Sequence, residues 1–126
     1  MKRLATTLEQ SRRLIQLGLD RATCDFAYCG EDGPFVFTGD WHDLDENGKE
    51  GDAAMTPAWS MGALLALLPA GTLFMSSSRY GWHVDYASER ISYDAEERNL
   101  LVIDAVYELV VWLLENGYIR GKEVAV

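Results

Sequence analysis

A chain of 126 residues with 48% apolar residues can bury one packed core, so we expect residues 1–126 to form a single globular domain. The formal net charge of −9 argues against direct nucleic-acid binding, because phosphate neutralisation requires clustered lysine and arginine. No apolar run reaches the length of a membrane span, and the hydrophobic region of a signal peptide does not follow Met1-Lys2-Arg3. Cys24 and Cys29 are spaced unfavourably for a local disulfide, which also indicates a cytoplasmic protein.

The first predicted element in chain order is a helix. The spacing of apolar residues indicates an amphipathic helix over residues 5–18, with Thr6 or Thr7 as its N-cap and Gly18 at its end. The next patterned segment, residues 24–28, fits either a strand or a helical turn. The sequence leaves these two alternatives open.

A short strand and a long acidic segment come next. Residues 31–34 predict a turn, and the aromatic and β-branched residues at 35–38 predict a strand. Residues 39–55 then predict an acidic loop. The segment 25–52 holds nine carboxylates and one lysine, which account for −8 of the net charge of −9. Loops of this length in compact domains are often functional.

The most apolar stretch predicts a central helix over residues 56–69. Thr56 suits the N-cap and Pro57 suits the first helical position, while Pro69 ends the helix. Since apolar side chains surround the helix axis, we expect every face of this helix to be buried in the core.

A hairpin and a last helix complete the pattern. Strands are predicted at residues 72–77, 80–86 and 89–93, with Ser76-Ser77-Ser78 as the first turn. Asp94 and Glu97 have capping-box spacing before a helix that begins near residue 96 or 100 and ends at Asn116, with Gly117 as its left-handed cap. The whole order predicts an α+β fold, a small antiparallel sheet of three to four strands packed by three helices.

The acidic loop contains half of a calcium-binding motif. Asp43, Asp45 and Asn47 stand at the first, third and fifth positions of an EF-hand loop, and Gly48 at the sixth. The twelfth position is Ala54 instead of glutamate, and the flanking segments do not predict two helices. The alternative is a solvated acidic turn, so we predict no cofactor and keep calcium or a transition metal as the alternative.

Both histidines follow a tryptophan and lie close to an aspartate. His83 and Asp85 are two residues apart on the polar face of one predicted strand, and His42 precedes Asp43 in the acidic loop. A metal or acid–base site forms if the loop approaches that strand. The alternative is that each histidine is a partly exposed polar residue next to a core tryptophan.

Ser60 stands in Ala58-Trp59-Ser60-Met61-Gly62, which resembles the nucleophile elbow of hydrolases with alanine in place of the first glycine. The elbow requires a strand before the serine, whereas the sequence predicts a helix start at Thr56. No acidic residue lies between Ser60 and the only later histidine, His83. We therefore interpret Ser60 as a small polar residue in the first turn of the central helix.

Two segments carry a resemblance to a known family. Pro57-Ala58-Trp59-Ser60 continues through leucines to Pro69, and Trp112-Leu113-Leu114-Glu115-Asn116-Gly117-Tyr118 stands near the end. On these segments the chain resembles a family of small uncharacterised proteins of gut bacteria and their mobile elements, with PAWS-x-x-x-LL-x-LLP and WLLENGY motifs. The resemblance covers the layout of residues 5–119. It implies a bacterial or prophage source and supports the fold, but implies no catalytic residue.

The leading functional prediction is a non-enzymatic accessory protein that binds a basic protein partner through the acidic loop 39–55, because clustered charge steers a partner that an aromatic side chain then anchors. The predicted binding surface comprises Asp40, Trp41, His42, Asp43, Asp45 and Glu46.

The alternative is a metal-dependent or acid–base site of His42, His83, Asp85 and the loop carboxylates. Its predicted metal ligands are Asp43, Asp45, Asn47, His83 and Asp85. A third prediction is self-association through Val111 and Tyr107, and the oligomeric state stays open.

Overall fold

The computed structural model describes residues 3–29, 32–36 and 55–119. The predicted acidic loop therefore lies outside the described residues, apart from residue 55. The same is true of residues 37–38 in the predicted strand. None of the described helices combines the length and apolar character needed to cross a membrane.

The described helices and strands have the following bounds. The helices are α1 (Leu8–Gln16), α2 (Met61–Ala66) and α3 (Val102–Glu115). The strands are β1 (Phe26–Cys29), β2 (Asp32–Val36), β3 (Met55–Ala58), β4 (Thr72–Ser78), β5 (Gly81–Ala87) and β6 (Ser92–Asp94). All described strand pairs are antiparallel and form two sheets with strand orders β2-β1-β3 and β4-β5-β6. The predicted α+β fold is confirmed, with the strands divided between two sheets.

Helix α1 begins with a capping box, which explains its start. The backbone N–H of Gln10 donates to Thr7 Oγ1 at 3.0 Å, and the Thr7 N–H donates to Gln10 Oε1 at 2.9 Å. This confirms the second of the two predicted caps. Gly18 ends the helical segment with a φ of 91°, a backbone conformation that favours glycine.

The first sheet settles the open alternative for residues 24–28, because Phe26–Cys29 is the central strand β1. Strand β2 already begins at Asp32, so the predicted turn over 31–34 is wrong for residues 32–34. Pro34 has no N–H to donate to a sheet, and β2 tolerates it because this strand lies at an edge of the described sheet.

The predicted helix over residues 56–69 is wrong at its start. The prediction that every face is buried is also wrong, because Leu64 is the one buried residue of α2. Thr56 and Pro57 belong to β3, where Pro57 pairs with Ala27, and the helix begins only after Ser60. The Oγ atom of Ser60 accepts the N–H of Ala63 at 3.1 Å and so caps α2. An unbroken apolar run fits a buried strand as well as a helix, which is why periodicity alone did not distinguish them.

Sheet β4-β5-β6 contains the predicted hairpin, but with a different turn. Ser76 pairs with His83 and Ser77 pairs with Trp82, so the predicted serine turn is wrong and the chain reverses at residues 79–80. Tyr80, predicted as the first residue of the second strand, lies in this turn instead and is 66% exposed. Strand β6 lies at 92–94, shifted towards the end of the predicted strand at 89–93.

The predicted capping box at Asp94 and Glu97 is also wrong. Asp94 is the last residue of β6, and α3 begins eight residues later at Val102. The N-cap residue of α3, Leu101, provides no side-chain cap. The end of α3 follows the prediction, because Gly117 has a φ of 77° and the N–H of Tyr118 donates to the Leu113 carbonyl at 2.9 Å.

Helix α3 joins the two larger core clusters of the described chain. One of its faces packs into a cluster with α1 and α2 that comprises Leu14, Leu19, Trp59, Leu64, Ile103, Val106 and Val110. Its next face packs onto β5 in a cluster that comprises Val84, Tyr86, Ile91, Ala105, Leu109 and Leu113. The buried residues of α3 are therefore Ile103, Ala105, Val106, Leu109, Val110 and Leu113.

A buried threonine fixes the segment before α1 to the first sheet. Thr6 donates its N–H to the Trp59 carbonyl at 2.9 Å, and its Oγ1 atom accepts the Trp59 N–H at 3.1 Å. The Tyr28 hydroxyl donates to the Thr6 carbonyl at 2.8 Å. These bonds satisfy the polar groups of a residue with no exposed surface.

Candidate functional site

A histidine and two aspartates meet on the outer face of sheet β4-β5-β6. His83 and Asp85 lie two residues apart on β5, which places both side chains on the same face, while Val84 and Tyr86 point to the core. Asp94 on β6 is the direct register partner of Asp85. Strand pairing therefore brings together three groups that the linear order separates by up to eleven residues.

The imidazole contacts both carboxylates through one nitrogen. His83 Nε2 lies 2.7 Å from Asp85 Oδ1 and 2.9 Å from Asp94 Oδ1. Two hydrogen bonds lower the pKa of Asp94 from its ordinary value, and the bond with Asp85 has a larger effect than the bond with His83. The side chains of His83, Asp85 and Asp94 are 25%, 45% and 80% exposed. The cluster is thus open to solvent and offers one imidazole nitrogen and two carboxylate oxygens as ligand atoms.

An open groove lies beside this cluster, between β6 and α3. Its volume is about 600 Å³. Its aromatic lining residues are Tyr93, Tyr107 and Trp112, and its acidic lining residues are Asp94, Glu96, Glu97, Glu108 and Glu115. No lysine, arginine or histidine is among its described lining residues.

Two aromatic side chains that line this groove pack against each other, and a third ring extends the stack beyond the lining residues. The rings of Tyr93 and Trp112 are 5.2 Å apart between centroids and inclined at 53°, and Tyr118 stacks on Trp112 at 5.6 Å. Tyr93 comes from β6, whereas Trp112 and Tyr118 come from α3 and its cap. The groove is therefore built by the packing of the hairpin against the last helix.

The carboxylates produce a negative field at the aromatic surface. Burial raises the pKa of Tyr93, and the charges of Glu108, Glu96 and Asp94 raise it further, because each disfavours the phenolate. Burial likewise raises the pKa of Tyr107, where Arg13 opposes the effect and three glutamates support it. A cation in the groove would meet several carboxylates at once.

The structure places the predicted site residues in two groups. It brings His83 and Asp85 together, as the strand pattern predicted, and adds Asp94 as a third member. The other predicted residues, Asp40, Trp41, His42, Asp43, Asp45, Glu46 and Asn47, lie outside the described residues. Sequence reasoning missed Asp94 because it treated this residue as a helix cap, although the hairpin register was the signal that could have placed it opposite Asp85.

The Ser60 region has the order of strand, serine and helix that a nucleophile elbow requires, although the sequence analysis predicted a helix before the serine. A strand does precede the serine and a helix follows it, so the predicted helix start at Thr56 was the wrong reason to reject a nucleophile elbow. Nevertheless, Ser60 donates its hydroxyl to Asp25 Oδ2 and its N–H to Asp25 Oδ1 at 2.8 Å. Its φ of −71° is unstrained. Among the described residues, Ser60 acts as a helix cap with no histidine bonded to it.

Comparison of this chain with protein-family models, with curated proteins and with solved structures finds no match.

Proposed function

We propose that this protein binds a basic segment of a partner protein in the groove between β6 and α3. The observation that carries the proposal is the meeting of three aromatic side chains and five carboxylates in one groove that has no basic residue among its described lining. A basic protein partner is also what the sequence predicted, but the proposed surface is the groove instead of the acidic loop.

Two of the five carboxylates are available to a partner. Asp94 contacts His83, Glu108 accepts a hydrogen bond from Asn99 at 2.8 Å, and Glu115 pairs with Arg13 at 2.9 Å. Glu96 and Glu97 are exposed and have no ion pair within residues 3–29, 32–36 and 55–119. A lysine or arginine side chain would pair with these two first.

The aromatic surface supports binding beyond simple charge attraction. A lysine ammonium or an arginine guanidinium over a tyrosine or tryptophan face gains about 0.5–1 kcal/mol at an exposed site. Aromatic anchors within a groove also supply most of the affinity in many protein interfaces. Trp112 and Tyr93 would act as anchors, and the glutamates would steer the approach and select a positive side chain.

A titration with a lysine-rich model peptide, followed by amide chemical shifts of the isotope-labelled protein, tests the proposal. We expect shifts that cluster at Tyr93, Tyr107 and Trp112 and weaken with added salt, because screening becomes strong near about 0.1 M. Replacement of both free carboxylates, Glu96→Gln with Glu97→Gln, should weaken binding about fivefold, since each exposed pair contributes about 0.5 kcal/mol.

The control variant is Glu89→Gln, which removes one exposed carboxylate that does not line the groove. It should leave the shift pattern unchanged. Shifts that avoid Tyr93 and Trp112, or equal losses in the control and in the double variant, would contradict the groove as the binding site.

The acidic segment remains the second candidate surface, because nine of the chain's twenty carboxylates lie between residues 25 and 52. A variant with Asp43→Asn, Asp45→Asn and Glu46→Gln distinguishes it from the groove. Loss of peptide binding in this variant alone would favour the segment. We also keep the cytoplasm of a bacterium or prophage host as the proposed location, supported by the cysteine spacing and by the resemblance of the two apolar segments.

A further inference from the structure

We propose that His83, Asp85 and Asp94 bind a divalent transition-metal ion such as zinc on the outer face of the hairpin. The three side chains present one imidazole nitrogen and two carboxylate oxygens that all lie within 4.8 Å of one another. This proposal does not depend on the binding of a basic partner, although Asp94 belongs both to the cluster and to the lining of the groove.

Regular strand pairing fixes the arrangement of the three ligands. Asp85 and Asp94 are opposite each other in the β5–β6 register, and His83 follows the same face of β5 one side-chain position away. The buried neighbours Val84 and Tyr86 hold β5 against α3. The ligand set is therefore presented by a packed hairpin, which reduces the ordering that metal binding requires.

The ligand types select the class of metal. Calcium and magnesium prefer sites composed entirely of oxygen, whereas an imidazole with two carboxylates suits zinc, cobalt, nickel or manganese. Two carboxylates balance the double positive charge of such an ion when the imidazole is neutral. Three protein ligands leave at least one coordination position for water or another ligand.

The distances show what must change on binding. Zinc lies about 2.0–2.1 Å from nitrogen and oxygen ligands, so two tetrahedral ligand atoms stand about 3.3 Å apart. The Nε2 atom of His83 is 2.7 Å and 2.9 Å from the two carboxylates, which are hydrogen-bonding distances. The site therefore has to open by about half an ångström. Asp94, with 80% of its side chain exposed, has the room to make this shift.

The same nitrogen serves the hydrogen bonds and the metal. His83 Nε2 lies within hydrogen-bonding distance of both carboxylates in the metal-free cluster, where the tautomer protonated at Nε2 donates to them, and this atom must present a lone pair to bind zinc. The ring hydrogen then resides on Nδ1. The metal ion takes the place of the hydrogen on Nε2. The two carboxylates therefore contact an N–H group in the metal-free cluster and a cation in the metal-bound cluster.

Calorimetric titration of the full chain with zinc chloride tests the site, with the absorption spectrum of added cobalt as a second readout of coordination. We expect saturable binding that His83→Gln and Asp94→Asn each weaken by at least about tenfold, because even outer-sphere changes at metal sites cost that much. Both side chains are partly or largely exposed, so both variants should retain the wild-type far-ultraviolet circular dichroism.

Two controls locate the ion. Glu89→Gln removes an exposed carboxylate outside the cluster and should leave zinc affinity unchanged. His42→Gln removes the only other histidine and should do the same. Absence of saturable binding, or loss of binding in His42→Gln with retention in His83→Gln, would overturn the proposal. The Glu96→Gln/Glu97→Gln variant should bind zinc normally, which separates this site from the proposed binding of a basic partner.

Discussion

Cys24 shows how a few neighbours decide the chemistry of one residue. Its thiol is half-buried against the core cluster of α1, α2 and α3. Burial, and then the charge of Asp25, raises the pKa of the Cys24 thiol to about 11 from an ordinary 9.0. The thiol is thus a packing group with little thiolate at neutral pH.

We predict that Cys24 reacts slowly with iodoacetamide in the folded protein. At pH 8 the raised pKa reduces the thiolate fraction, and hence the alkylation rate, about 100-fold relative to the unfolded chain. A Cys29→Ser variant isolates Cys24 for mass-spectrometric rate measurement, with the same variant in urea as the control. Equal rates in the two states would contradict the burial argument.

The sign of the pH effect on stability follows from the same shift. The folded state favours the neutral thiol, so this contribution to stability is complete below pH 9.0 and is lost as the pH rises towards about 11. The melting temperature should therefore fall over this alkaline range. In Cys24→Ala, which has no thiol at this position to titrate, part of the fall should disappear.

At the scale of elements, the end of α3 was predictable from the sequence and the start of α2 was not. Gly117 follows an apolar helical segment and adopts the left-handed conformation that commonly ends a helix. This one glycine therefore indicated the position of the helix end. Thr56-Pro57 carries the same start signal as a true helix, but pairing with β1 outweighs it. That pairing joins residues far apart in the chain, and no local pattern reports it.

The helix end provides a direct test of backbone conformation. A Cβ atom at Gly117 would meet nothing within 4 Å, so Gly117→Ala adds no clash and its cost comes from the positive φ alone. We expect Gly117→Ala to lower the free energy of unfolding by about 1 kcal/mol, measured by urea denaturation. Gly117→Asn should cost less, because asparagine tolerates this conformation. A larger loss for asparagine would contradict the conformational explanation.

At the scale of the whole molecule, α3 belongs to both larger core clusters of the described chain, one shared with α1 and α2 and the other with β5. Leu109 of this helix has no exposed surface and packs against β5. We expect Leu109→Ala to lower the free energy of unfolding by about 2–5 kcal/mol. Leu100→Ala, at a position that is 83% exposed, is the matched control and should change it by less than about 0.5 kcal/mol.

Amide hydrogen exchange of the Leu109→Ala variant tests whether the two larger core clusters unfold together. The amides of Leu14 in α1 and Val84 in β5 should lose protection by the same amount, because α3 belongs to both of their clusters. A loss confined to β5 would indicate two independent folding units and would contradict this role of α3.

The candidate site was partly predictable for a related reason. His83 and Asp85 were recognisable because alternation along one strand places them on one face. Asp94 and the groove required knowledge of how the hairpin pairs and where α3 packs. A groove between two elements has no local sequence pattern, since each element alone shows only its ordinary polar face.

The hydrogen bonds of the buried Thr6 have a consequence for folding during synthesis of the chain. Thr6 leaves the ribosome early, yet its hydrogen-bond partners are Tyr28 and Trp59, and the nearby Arg3 pairs with Asp104. The contacts of the first segment with Trp59 and Asp104 can therefore form only after those residues have left the ribosome.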